Sequence, residues 1–201
     1  MPSTSPPPSD LLAALADRAA GGVADRAAAP VEAWHPPDCG PVDLAIDADG
    51  TWRHDGRPIL RPALVRLFAR VLRRDADGTT WLVTPAEKCR VRVADVAFVA
   101  VDLAVDGDGP ARRLAFRTNV GDLVVAGPAH PLRFAVDAAT GGVRPYLRVR
   151  GGLEARATRA VALDLLGHVE PEDGPDGVGR PGLRSDGAFF PLPDAATETG
   201  P

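Results

Sequence analysis

Lysine is almost missing: Lys88 stands alone among 23 basic residues in a chain of 201. So one-sided a choice reflects genome composition, and arginine counts by themselves carry no functional meaning. Cysteine is reduced to Cys39 and Cys89. That excludes a disulfide framework and reads as two free, packing thiols in a reducing compartment, hence the cytoplasm. Closely paired metal ligands are also lacking. His35 and Cys39 are isolated, and His54, His130 and His168 are scattered, so neither a structural metal nor a cofactor is expected. No apolar run is long enough for a membrane span. The N-terminus has no basic segment before an apolar one, so no signal peptide is expected. The net charge is -4, which removes any long-range pull on nucleic acid. There is no phosphate loop and no nucleophile elbow. Gly177-Val178-Gly179-Arg180-Pro181-Gly182 fits a dinucleotide fingerprint in letters only, since no strand precedes it and Pro181 opposes the helix that must follow.

What is present is a globular composition, 45% hydrophobic and 25% charged, arranged as strands around one prominent helical stretch. Leu64, Leu67, Phe68, Val71 and Leu72 recur at the spacing of one buried helix face. Pro62 suits a first helical position, and Arg73 and Arg74 suit the negative end of the dipole. The spacing therefore predicts a helix running to Arg74. Upstream, residues 1–9 read as disordered and Asp10–Ala20 as a short helix. Trp34–Pro41 is too proline-rich for regular structure.

Leu44 and Ile46, the turn Asp47-Ala48-Asp49-Gly50, and Thr51–His54 read as a hairpin. The Asp-x-Asp-Gly turn recurs at 75–78 and 106–109. The flanking positions lack calcium ligands, so all three are hairpin turns. Further strands are expected at Trp81–Thr84, Cys89–Val93, Ala97–Val105, Leu114–Phe116, Leu123–Val125, Leu132–Val136 and Tyr146–Val149. Gly151-Gly152 reads as a bulge in a strand continuing to Ala157, and Val161–Leu166 as a short helix. Residues 170–187 read as a mobile loop, and Phe189–Leu192 as an edge strand. The fold class is α+β with mostly antiparallel sheets in two modules. The divisions are an extension over 1–30, modules over 31–96 and 97–193, and a tail over 194–201.

Several phrases, in this order, resemble the bacterial DUF1285 family of unknown function: Trp34-His35-Pro36-Pro37 with Cys39-Gly40, Asp49-Gly50-Thr51-Trp52, Arg61–Phe68, Leu82-Val83-Thr84-Pro85 with Glu87-Lys88, Arg117–Asp122, Val149–Glu154 and Phe189–Leu192. The resemblance implies two related β-rich modules, the second a pleckstrin-homology-like partial barrel closed by a helix. It also implies a binding or signalling role. At 178–187 the chain departs from the family's shorter approach to the Phe-Phe strand.

Two groups of residues are candidates for function. Between positions 53 and 74 seven arginines face one aspartate. Arg66, Arg70 and Arg73 form one helical stripe, and Arg61 sits at the positive end of the helix, where a cation needs an anion beside it. This reads as a basic face for an acidic protein or a small anionic ligand, with RNA as the alternative and a merely solvated face as the plain reading. The second group is Thr84, Glu87 and Lys88 with Arg117, Asn119 and Asp122, polar groups at strand ends expected to line a cleft between the modules. Glu87 and Lys88 are the only acid–base pair for a hydrolase or isomerase, and also fit an ion pair between modules. Asn119 and Asp122 also suit a plain turn. The favoured reading is a non-catalytic binding module with a regulatory role.

Overall fold

A computed structural model of the chain describes residues 29–173 and 179–193. The expected N-terminal helix and the tail lie outside these. The expected hairpins are all present. β1 (Leu44–Ile46) and β2 (Trp52–His54) pair through the first Asp-x-Asp-Gly turn, and β3 (Arg57–Pro58) adds to β2. Helix α1 (Pro62–Arg70) follows. β4 (Leu72–Arg74), β5 (Thr80–Val83) and β6 (Lys88–Val93) then form a second antiparallel meander. The first sheet has the order β3-β2-β1-β6-β5-β4, with β1 parallel to β6.

The C-terminal module repeats this plan. β7 (Phe98–Asp106), β8 (Arg113–Thr118) and β9 (Leu123–Val125) form one meander. β10 (Leu132–Val136), β11 (Val143–Arg150) and β12 (Leu153–Ala157) form the other. The order β10-β11-β12-β7-β8-β9 again sets the first strand parallel to the last, β7 beside β12. Both sheets are thus mixed at their centres. The modules differ in where the helix falls: α1 joins the two meanders of the first, whereas α2 (Arg159–Leu166) follows the second. Thr158 caps α2 by accepting a hydrogen bond from the Val161 amide at 3.3 Å, and Val161 and Leu165, one turn apart, are its buried face.

One continuous core runs through both modules. It takes Leu44, Ile46, Trp52, Leu72 and Val91 from the first and Phe98, Leu114, Phe116, Leu147 and Leu165 from the second.

Four expectations are corrected. First, the helix ends at Arg70, and residues 72–74 turn into β4. Its inner face is Val65, Phe68 and Ala69, while Leu67 is 55% exposed. The early stop is long-range in origin. Arg73 is 7% exposed, and its guanidinium donates to the carbonyls of Val31 (2.9 Å) and Trp34 (2.7 Å) and to Asp75. A continuing helix would break this. Second, Cys39 and Cys89 are paired in a disulfide, with Cα atoms 5.4 Å apart. The reading of free thiols is overturned, and the inference to a reducing compartment loses its premise. The bond pins the proline-rich strap over residues 29–41 to β6, beside the bridge in which Lys88 N–H donates to Pro37 O and Cys39 N–H to Lys88 O.

Third, much of the expected loop is strand: β13 (Glu170–Asp173) and β14 (Gly179–Ser185) form a three-stranded sheet with β15 (Ala188–Pro191), the expected edge strand. Glycine and proline misdirected the reading. Gly182 is required because the Phe189 ring lies over it: a Cβ there would meet Phe189 Cζ at 2.3 Å. Ser185, fully buried, ties this sheet to the second module, accepting from Leu114 N–H at 2.8 Å and donating to Ala126 O at 2.7 Å. Fourth, Gly151-Gly152 is the turn between β11 and β12, and the register irregularity falls earlier, between Arg148 and Arg150.

Candidate functional site

The seam between the modules is built by arginines that the sequence reading did not nominate. Arg150, at the end of β11, donates to Asp122 at 2.7 Å and, across the seam, to Ala69 O near the C-terminus of α1 at 2.7 Å. Its guanidinium also lies 4.8 Å from the centre of the Phe98 ring. The register irregularity of β11 falls just before Arg150. Arg156, on β12, repeats the device: it donates to Asp95 at 2.9 Å and across the seam to Ala48 O, in the β1–β2 turn, at 2.7 Å. Each guanidinium thus holds a carboxylate with one nitrogen and a backbone carbonyl of the other module with another. Tyr146 hydroxyl also donates to Asp95, at 3.3 Å.

Two hollows open along this seam. One, of about 300 Å³, lies between α1, the β1–β2 turn and the β8–β9 turn, and includes Trp52, Ile59, Leu60, Val65, Arg66 and Asn119 in its lining. The other, of about 290 Å³, lies on the side of β4 and β6 that meets the β11–β12 turn.

The nominated residues do not gather in one place. Arg66 and Asn119 are together in the first hollow. Asn119 Oδ1 accepts from Val99 N–H at 3.0 Å, and its amide nitrogen faces the β1–β2 turn: a Cβ on Gly50, whose φ is +85°, would stand 2.6 Å from it. Arg61 is the residue before the first turn of α1 and makes no side-chain cap. Asp122 is engaged by Arg150, and Arg117 pairs with Asp102 at 2.9 Å. Arg117 shares its sheet face with Ala104, Ala115, Leu123 and Val125, the face turned away from the main core. Thr84, Glu87 and Lys88 form the β5–β6 turn at the end of β6 remote from the seam. Thr84 hydroxyl accepts from Glu87 N–H at 3.1 Å, and Lys88 Nζ lies 4.2 Å above the Trp81 ring. The turn and the seam residues therefore do not meet in one cleft.

The basic stretch also divides. Arg53 pairs with Asp47, and Arg73 is consumed inside the fold. Arg57, Arg61, Arg66, Arg70 and Arg74 have no carboxylate partner among the described residues. Leu60, 84% exposed, and Leu67 lie among the first four of these. Among the described residues none of the lining of the first hollow is acidic. Trp52, 1% exposed, is part of that lining, and its buried indole N–H has no hydrogen-bond partner among the described residues. A guanidinium without a carboxylate partner, set in largely apolar walls, suits a ligand with an anionic head and an apolar body. Among the described residues no group of three or more His, Cys, Asp or Glu is placed to hold a metal ion, and no helix is long and apolar enough to cross a membrane.

The paired six-stranded modules and their stitched seam define a two-domain α+β protein, and its lineage is plain. The family model described as "Domain of unknown function (DUF1285), N-terminal domain" matches residues 29–96, and "Protein of unknown function (DUF1285), C-terminal domain" matches 97–192. The chain belongs to the DUF1285 family. It is similar to the crystal structure of a DUF1285 family protein from Silicibacter pomeroyi DSS-3, at 46% identity over 90% of this chain and 93% of that one, with a TM-score of 0.77. A DUF1285 family protein from Shewanella baltica OS155 is 26% identical over 62% of this chain and 90% of that one, with a TM-score of 0.48. No curated protein matches the chain.

Proposed function

We propose that this protein is a non-catalytic binding module for a small amphipathic anion, taken into the hollow beside α1. The observation that carries the reading is the lining: Arg66 without a carboxylate partner, set in largely apolar walls with no acid among the described residues. An anion there gains charge-assisted hydrogen bonds from Arg66. It also lies beside the positive end of α1, near Arg61, which has no carboxylate partner among the described residues. In this reading the second module, a sheet closed by α2, is a pleckstrin-homology-like scaffold holding Asn119 and Arg150 against the first.

The role is regulatory. Occupancy of the hollow bears on the outer face of α1, where Leu60, Leu67, Arg61 and Arg70 offer an apolar and basic patch to an acidic protein. No aromatic residue of α1 stands out among its exposed groups, which favours a protein over single-stranded RNA.

Octanoate and 1-octanol are suitable probes, matched in tail and differing in charge. Calorimetric titration is expected to show saturable octanoate binding, weaker octanol binding, and about a tenfold loss of octanoate affinity in Arg66→Gln. Equal binding of the two probes, or an unaltered Arg66→Gln, overturns the proposal.

A further inference from the structure

We infer that Asn119 makes the hollow beside α1 selective for a carboxylate, and that a bound carboxylate bridges the two modules. The inference rests on the reading of that hollow as an anion site. It assigns the ligand's head group and the second donor that holds it.

Asn119 is the single carboxamide side chain of the chain, which has no glutamine. It stands in the β8–β9 turn and is held at both ends by Val99 of β7. Its backbone N–H donates to Val99 O at 2.8 Å, and its side-chain oxygen accepts from Val99 N–H at 3.0 Å. A backbone N–H needs an oxygen, so the amide has one orientation, with its nitrogen turned away from Val99. That nitrogen has no acceptor among the described residues. It stands beside Gly50, which shares the lining of the hollow with Asn119 and Arg66.

Aspartate at 119 would accept from Val99 N–H and suit the turn equally well. What the carboxamide adds is a donor fixed in direction and the absence of charge. Both favour an anion: the amide nitrogen can donate to it, where a carboxylate would repel it. Arg66 comes from α1 in the first module and Asn119 from the second. A carboxylate has two oxygens in one plane, one for the guanidinium and one for the amide. An alcohol has a single oxygen and no charge to offer them. Occupancy by a carboxylate then adds a third tie to the seam that Arg150 and Arg156 fasten.

The test uses the full chain, nitrogen-labelled, with octanoate and 1-octanol as probes. Its correlation spectrum holds one pair of carboxamide signals, those of Asn119. Octanoate should move this pair saturably, with the midpoint found by calorimetry, and 1-octanol at equal occupancy should move it less. Asn119→Asp keeps the acceptor for Val99 N–H and replaces the donor by a charge. It should lose octanoate affinity about tenfold and keep octanol affinity within about twofold. Circular dichroism and an unshifted Val99 amide signal show that this variant is folded with the Val99 bond intact. Bridging requires that Arg66→Gln, in the other module, also weaken octanoate. No octanoate binding to the wild type overturns the reading of the hollow and this inference with it. Octanoate binding with stationary carboxamide signals, or with unaltered affinity in Asn119→Asp, or with equal losses for both probes in that variant, overturns the role of Asn119 alone.

Discussion

Arg150 and Ala69 are 81 positions apart in the chain, and a 2.7 Å hydrogen bond joins the guanidinium of the first to the carbonyl oxygen of the second. The cation meets the negative end of α1 and is held there by Asp122, so one side chain caps a helix and fastens two modules. Arg150→Met should cost about 2 kcal/mol, because it removes charge-assisted bonds at a partly buried site and leaves Asp122 without its partner. Arg150→Lys, which keeps the charge without the fork, should recover only part of this. Urea unfolding measures both. A loss below about 0.5 kcal/mol in Arg150→Met would mean that the seam does not depend on this contact.

The disulfide closes a separation of 50 residues. Chain entropy assigns such a cross-link about 4 kcal/mol, through the unfolded state. Adding dithiothreitol should lower the urea midpoint of the wild-type protein, and the Cys39→Ser/Cys89→Ser double variant should be less stable and insensitive to the reductant. An unchanged midpoint on reduction would contradict a strap held by this bond.

Gly182 and Gly179 lie on the same strand with opposite tolerances. A methyl at Gly182 collides with the Phe189 ring and with Phe190 O at 2.7 Å, whereas at Gly179 its nearest neighbour is Pro171 Cβ at 3.4 Å. Gly182→Ala should therefore cost about 2 kcal/mol or more and Gly179→Ala little. Thermal melts of the two variants compare them directly. Similar melting temperatures would argue against the Phe189 ring lying over β14.

Three turn aspartates give the acid limb of stability a definite sign. Asp49 and Asp77 are held below the usual carboxylate range chiefly by the backbone N–H groups of Thr51 and Thr79, and Asp137 chiefly by that of Ala139. A carboxyl whose pKa is lower folded than unfolded contributes fully above the unfolded value, about 3.9, and its contribution fades as pH falls toward the folded value. Asparagine at these positions keeps the accepting oxygen and cannot titrate. Asp49→Asn/Asp77→Asn/Asp137→Asn should therefore unfold less steeply below pH 4 than wild type. An identical acid limb would show that these turns do not contribute to it.

The hairpins were legible because each Asp-x-Asp-Gly turn carries its own geometry and flanking alternation marks the strands. β7 was legible from its apolar run, and α1 from its period and its proline. What escaped was decided at long range. The helix stops at Arg70 because Arg73 is needed by Val31 and Trp34, some forty residues earlier. The third sheet hides in a composition of glycine and proline because its order comes from ladder bonds and one ring packed on Gly182. Within the candidate site, Arg66 and Asn119 were nominated and do share a hollow, while Arg150 and Arg156 were not nominated. What they hold, Ala69 O and Ala48 O, is 81 and 108 positions away in the chain and is set only by how the modules pack.

The central claim is that an anion enters the hollow beside α1, whose lining includes Trp52. The chain has three tryptophans, Trp34, Trp52 and Trp81, so a nitrogen–proton correlation spectrum carries three indole signals, assignable by Trp→Phe variants. On titration with octanoate the Trp52 indole signal should move downfield and saturate, with the Trp34 and Trp81 signals stationary, and Arg66→Gln should shift the midpoint to higher concentration. A stationary Trp52 signal, or three signals moving together without saturation, would contradict the account.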